Sequence, residues 1–184
     1  MLLITEDMRR FKLGLFIGRF QPFHKGHMHA LRYALSSCDR VVIGIGSSQE
    51  HGTDDNPIPA DKRERIIRAA LRGSGIASRR VALMRIPDFG DNEAWFRYIM
   101  KERKGIEVVF SRTRIVRRIF AGHGIPVIAP AWHRRRTLMA TRIREMMKSG
   151  KRWQDRVPRS AVREIASHEG HIIKSEGTIR AKMR

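Results

Sequence analysis

The chain has 184 residues, one cysteine, and 38 Lys and Arg against 18 Asp and Glu, a formal charge of +20. That length suits a single domain with a sizeable core, and 41% hydrophobic residues argue against wholesale disorder. The lone Cys38 excludes an intrachain disulfide and a cysteine-based metal cluster, while the charge favours a phosphate-bearing partner without choosing between nucleotide, nucleic acid and anionic membrane.

The opening MLLITEDMRRF has too short an apolar run for a secretory signal, and no later run approaches the ~20 apolar residues of a membrane span. A cytoplasmic protein with no membrane attachment is the expectation. Apolar runs at 13–18 (LGLFIG), 41–46 (VVIGIG), 81–86 (VALMRI), 106–110 (IEVVF) and 126–129 (PVIA) predict buried strands. The segments between them have helical spacing. Met28, Leu31 and Leu35 share a face within 26–37, and Ile66, Ile67, Ala70 and Leu71 do so within 60–72. Trp95, Phe96 and Ile99 follow within 92–103, then Ile115, Val116 and Ile119 within 112–121. After Ala140, TRIREMMKSG reads as a helix closed by Gly150, and PRSAVREIASH as another starting near Pro158. Beyond Gly170 the pattern fades. No internal repeat or low-complexity linker interrupts the chain.

Strands that are apolar throughout, alternating with helices, predict an α/β fold: a doubly wound, five-stranded parallel sheet with helices on both faces, plus C-terminal helices. The expected organisation is one domain over 1–184, with a core of about 12–165 and extensions at 1–11 and 170–184. Ligands of such sheets bind beyond the carboxyl ends of the strands. The segments to search are therefore 18–27, 46–57, 87–95, 111–114 and 130–144.

The first of these reads GRFQPFHKGH, residues 18 to 27. It is neither G-x-G-x-x-G nor G-x-x-x-x-G-K-[ST]. Instead His24 and His27 flank the start of a helix, where free N–H groups and the helix dipole form an anion site. Gly26 between them lets the backbone come close. Imidazoles so placed can donate to phosphate oxygens and stabilise charge developing there. A lone histidine at a helix start is more often an ordinary polar residue, but the surrounding pattern resembles the H-x-G-H signature of the nucleotidyltransferase superfamily. Its fullest similarity is to the archaeal type of nicotinamide-nucleotide adenylyltransferase, from Lys12 to about Val162.

That resemblance implies a Rossmann-like fold and adenylyl transfer from ATP to nicotinamide mononucleotide, giving NAD and pyrophosphate. It assigns Gly18, Arg19, Phe20, His24, Gly26 and His27 to ATP, with His24, His27 and Arg144 acting on the reacting phosphates. In NPIPADKRER the family's arginine falls on Arg63, expected at a phosphate. IGSSQ, carrying Ser47, is similar to the family's IGSAQ segment. IPDFGDNEAW is similar to its segment for the pyridine ring and ribose, so Ser47, Asp88, Asn92 and Trp95 are assigned to the acceptor. In APAWHRRRTLMATRIREMMKSG, Thr141 and Arg144 match the second phosphate motif, usually Ser-x-Thr-x-x-Arg, with Met139 replacing its serine. A backbone N–H at Met139 still suits a phosphate, and Arg134, Arg135 and Arg136 are candidates to close over the triphosphate. Ser111-Arg112-Thr113 departs from the small residue and Asn of relatives. The resemblance further implies Mg²⁺ bridging the phosphates, with no protein residue assigned to metal, and a homo-oligomer.

Two other readings stay open. One keeps the chemistry and changes the acceptor to pantetheine phosphate, flavin mononucleotide, or a polyol phosphate with CTP. The other is a basic nucleic-acid-binding protein, a weaker reading because the positive residues are scattered and no nucleic-acid motif appears.

Overall fold

A computed structural model of the chain describes residues 11–131 and 137–174. Among them, five strands form one sheet: β1 (Phe11–Gly18), β2 (Cys38–Ile45), β3 (Val81–Arg85), β4 (Val108–Phe110) and β5 (Val127–Ile128). Their order is β3-β2-β1-β4-β5, with every neighbouring pair parallel. The helices are α1 (Lys25–Ser37), α2 (Ala60–Arg72), α3 (Asn92–Glu102), α4 (Arg114–Gly122), α5 (Ala140–Lys148), α6 (Val162–Ala166) and α7 (Glu169–Lys174).

The apolar runs are continuous because both sheet faces are covered. Successive side chains of a strand point to opposite faces. Phe16, Val41, Ile43, Val108 and Phe110 therefore join one core with Leu31 and Leu35 of α1, Ile66 and Ile67 of α2, and Ile143 and Met147 of α5. Leu15, Ile17, Val42, Met84 and Val109 join the other with Ile99 of α3 and Phe120 of α4. Full burial of each such side chain stabilises the fold by roughly 1.5–3 kcal/mol. Gly14 in the central strand is a matter of space: a Cβ there would stand 2.7 Å from Cys38 Sγ and 2.9 Å from Phe110 Cε2.

Local chemistry sets the helix boundaries. α2 begins directly after Pro59, with Asp61 in its first turn and Arg72 in its last, both complementary to the helix dipole. α3 is capped by the Asp91 carboxylate, which accepts from the N–H groups of Glu93 at 3.1 Å and Ala94 at 3.0 Å. At the amino end of the sheet, Arg80 donates to the carbonyls of Leu35 (2.6 Å), Cys38 (2.7 Å) and Asp39 (3.0 Å), closing the end of α1. Part of the basic surplus thus serves as helix capping.

The C-terminal segment differs from its sequence reading. The helix expected near Pro158 starts as a 3₁₀ turn, Arg159–Ala161, before α6. Where the pattern was expected to fade, α7 continues to Lys174. It holds because Ile172 is buried in the core and Glu169 Oε1 accepts from Trp153 Nε1 at 3.1 Å. A turn and a half of helix offers too few apolar positions for a periodic signal. No helix among the described residues is long and apolar enough to cross a membrane.

Candidate active site

The strand order reverses direction between β1 and β4, and the carboxyl ends of those two strands open onto a cavity of about 320 Å³. Gly18, Arg19 and Phe20 after β1 line it, as do Ser111, Arg112 and Thr113 after β4. The amino ends of α1, α4 and α5 meet there, through Gly26 and His27, through Thr113, and through Met139, Ala140 and Thr141. Three positive dipole ends around one cavity favour an anion of several charges.

His24 and His27 both line that cavity. The His24 ring accepts from the His27 N–H through Nδ1, and the His27 ring accepts from the His24 N–H through Nδ1, both at 3.3 Å. This is a capping box built from imidazoles, where Ser and Glu would be usual. The two rings stack with centroids 3.6 Å apart. His27 is further enclosed by the rings of Phe20 at 5.0 Å and Phe23 at 5.5 Å. Burial lowers the pKa of His24 to about 4. Burial, and then the neighbouring His24, hold His27 well below its ordinary value. Both rings are therefore neutral at pH 7. With each Nδ1 acting as acceptor, the proton sits on Nε2, leaving one N–H donor per ring on the side away from the helix backbone. Gly26 makes the arrangement fit, because a Cβ there would lie 2.9 Å from His24 Cε1 and 3.0 Å from Nδ1.

Arg144, nearly buried, lines the same cavity from α5 and is anchored through Nη1, which donates to Gln21 O at 3.0 Å. Burial lowers its pKa, with Arg19 adding to the effect. Arg19 Nη1 stands 3.7 Å from Asp55 Oδ2, and Lys148 Nζ, also on α5, stands 3.3 Å from Asp54 Oδ1. The loop after β2 thus brings acidic residues to the rim of the cationic cavity.

A second cavity, of about 440 Å³, opens beyond β1 and β2, and Ser47, Asp88, Asn92 and Trp95 all line it. Ile17, Gly18, Arg19 and Thr113 border both cavities. Asp88 accepts from Gln49 Nε2 at 3.3 Å, while its own backbone N–H donates to Gln49 Oε1 at 2.9 Å. Trp95 packs edge-on against Phe120, with centroids 5.9 Å apart, and also lines the opening. It belongs to the core and to the cavity wall at once.

The first cavity thus gathers Gly18, Arg19, Phe20, His24, Gly26, His27, Met139, Thr141 and Arg144, and the second gathers the four acceptor candidates. Arg63 is the correction. It lines neither cavity, is fully buried, and donates to the carbonyls of Arg19, Gly46 and Ser47. Its position at the start of α2 faces inward under the loops, where no phosphate can reach it. Arg134, Arg135 and Arg136 lie outside the described residues. Sequence reasoning passed over Gln21, which is buried and pairs both ways with the Ile58 backbone at 3.0 Å. It also passed over the Asp91 cap, legible as an Asp directly before a helical run, and over Phe89, Ile115 and Ile119 on the second cavity. Among the described residues, no group of three His, Cys, Asp or Glu side chains comes together as metal ligands.

The chain is similar to known proteins over most of its length. The family described as cytidylyltransferase-like matches residues 15–146. The chain is 37% identical over 159 residues to a nicotinamide-nucleotide adenylyltransferase of Thermococcus kodakarensis, covering 86% of this chain and 85% of that one. It is 40% identical over 159 residues to a protein of the same name from Ignicoccus hospitalis, covering 86% and 92%. In fold it is similar to a bifunctional NMN adenylyltransferase/ADP ribose pyrophosphatase of Francisella tularensis, solved with AMP and a manganese ion. There the TM-score is 0.75 at 20% identity, over 94% of this chain and 55% of that one.

Proposed function

The chain belongs to the cytidylyltransferase-like family, alongside archaeal nicotinamide-nucleotide adenylyltransferases, and on that footing we propose that it joins nicotinamide mononucleotide and ATP to give NAD and pyrophosphate. The observation that carries this reading is the pair of cavities sharing one wall at Ile17, Gly18, Arg19 and Thr113. One cavity has the donors a triphosphate requires. The other has a flat indole beside Asn92 and Ser47, suited to a heteroaromatic ring and its ribose. Two bound nucleotides would have their phosphates meet at the shared wall.

An oxygen of the mononucleotide 5′-phosphate attacks the α-phosphorus of ATP. A P–O bond forms to that oxygen, and the bond to the α–β bridging oxygen breaks, releasing pyrophosphate. The acceptor brings its own nucleophile, so the protein has only to align the two phosphates and stabilise the charge. His24 and His27 donate through Nε2–H to oxygens of the reacting phosphate. They do so as neutral donors, without losing a proton. Arg144 holds the departing pyrophosphate with the donors that Gln21 leaves over. The N–H groups opening α5, including that of Met139, add to the same cradle.

A divalent cation travels with ATP, and we take it to be Mg²⁺. It would neutralise charge on the β and γ phosphates. The walls fit an ion held by substrate and water, because they present donors and cations with no carboxylate cage among the described residues. Self-association, implied by the sequence resemblance, belongs to the same proposal, and sedimentation of the purified chain checks it. The decisive experiment is pyrophosphate release by purified protein with ATP, Mg²⁺ and nicotinamide mononucleotide, beside parallel reactions with pantetheine phosphate and flavin mononucleotide. Release with one of those acceptors and none with nicotinamide mononucleotide would refute the proposed substrate.

A further inference from the structure

Arg63 enters the core from the first turn of α2 and is 0% exposed. A guanidinium so deeply placed is costly unless its donors are used. Nη1 donates to Arg19 O at 2.9 Å and to Gly46 O at 2.7 Å, and Nη2 donates to Ser47 O at 2.9 Å. Burial lowers its pKa to about 10, which leaves it charged at pH 7. The three acceptors belong to two separate loops, one following β1 and one following β2. The same loops also meet where Gly46 N–H donates to Gly18 O at 2.9 Å, where Gln21 pairs with the Ile58 backbone, and where Arg19 stands 3.7 Å from Asp55. Arg63 is the group that binds the backbone of both cavity walls at once.

Each loop also contains a non-glycine residue in the left-handed region: Phe20 at φ 53° and Ser47 at φ 47°. Such residues are costly by about 1–3 kcal/mol each and persist only where the surroundings hold them. Two of the carbonyls that Arg63 binds lie beside those residues, one on the peptide leading into Phe20 and one on Ser47 itself. Phe20 lines the first cavity, Ser47 the second, and Arg19 both. A single planar fork therefore ties together the walls of the two cavities.

We infer that Arg63 is a positioning residue that sets the separation between the triphosphate and acceptor cavities by clamping the backbone of Arg19 to that of Gly46 and Ser47. The inference rests on the two-nucleotide reading above, in which that separation is the distance between the attacking phosphate and the α-phosphorus. A lysine cannot substitute, because one ammonium nitrogen on a shorter reach does not span carbonyls that the guanidinium serves from two nitrogens.

Arg63→Lys and Arg63→Met test it. For Arg63→Lys, which keeps the charge, we expect cooperative unfolding and a kcat lower by ~10-fold or more. KM for both ATP and the mononucleotide should rise several-fold, since displacement of reacting groups by about 1 Å costs up to ~100-fold. Arg63→Met should lose more. Hydrogen exchange should accelerate at the amides of 18–21 and 46–48 and stay unchanged across α4. A purely structural arginine predicts a lower melting midpoint with kcat per folded molecule and both KM values at wild type, and that result overturns the assignment. Unchanged exchange in the two loops overturns it too. A wild-type chain that releases no pyrophosphate overturns the functional reading instead. The clamp is then judged from the exchange pattern and from ATP affinity alone.

Discussion

Lowering the pH from about 7.5 to about 4 will destabilise the chain through His24 and His27. In the unfolded chain both imidazoles take a proton near pH 6.5. In the folded chain burial holds His24 to about 4 and His27 well below its ordinary value. Above pH 6.5 both states are neutral and the pair's contribution is fully present. Between 6.5 and 4 the unfolded chain binds protons that the folded chain refuses, so stability falls with pH. Below about 4 His24 protonates in both states, and its loss is complete. A shift of roughly 2.5 units at ~1.36 kcal/mol per unit makes His24 alone responsible for about 3 kcal/mol over that window, and His27 adds in the same direction. Urea unfolding across the range measures the loss. His24→Gln, which removes one titrating ring, should flatten the curve and so separate this contribution from that of the carboxylates. Imidazole resonances followed by NMR give the midpoints directly. Two rings titrating near 6.5 would refute the reasoning, because a pair charged at pH 6 could not keep both Nδ1 atoms as acceptors. A corollary follows for activity. ATP binding near pH 5 should take up protons, since a triphosphate favours the charged imidazoles, and calorimetry in two buffers of different ionisation enthalpy detects it.

His27→Ala should lower kcat by ~100-fold or more in a folded protein, as removal of one donor at a transition-state oxyanion does, and an unchanged kcat would remove His27 from the mechanism. Gly26→Ala gains helix propensity of about 1 kcal/mol but drives a methyl to 2.9 Å from His24 Cε1. The expected outcome is a melting midpoint close to wild type with kcat down by ~10-fold or more, checked by a thermal melt beside a pyrophosphate assay. Trp95→Leu should weaken mononucleotide binding and leave ATP affinity near wild type in calorimetry. Equal loss for both ligands would mean that its packing against Phe120 is its main role.

Much of the fold was legible because its signals are local. Residues 60–72 were predicted as a helix from Ile66, Ile67, Ala70 and Leu71, and α2 spans Ala60–Arg72. β1 was expected from a run apolar on both faces, which only a central parallel strand needs. The GRFQPFHKGH motif marked the strand-to-helix junction where the first cavity lies. Less legible were features that depend on where separate segments meet. Arg63 has the same local context as an arginine on a solvated helix face or at a phosphate. Its burial follows from two loops, 17 and 44 residues away in sequence, that lay carbonyls over it.

By itself the sequence determined the layered α/β architecture and the junction with its two histidines, because periodicity and a short motif are properties of neighbouring residues. The tertiary structure alone decided that those histidines resist protonation well below pH 6.5, since burial disfavours their charged forms, with Phe20, Phe23 and the stacked His24 packed around His27. It alone also joined the two cavities at Gly18 and Arg19 and made Arg63 a clamp. Desolvation and long-range hydrogen bonding come into being only when distant stretches of chain share a volume.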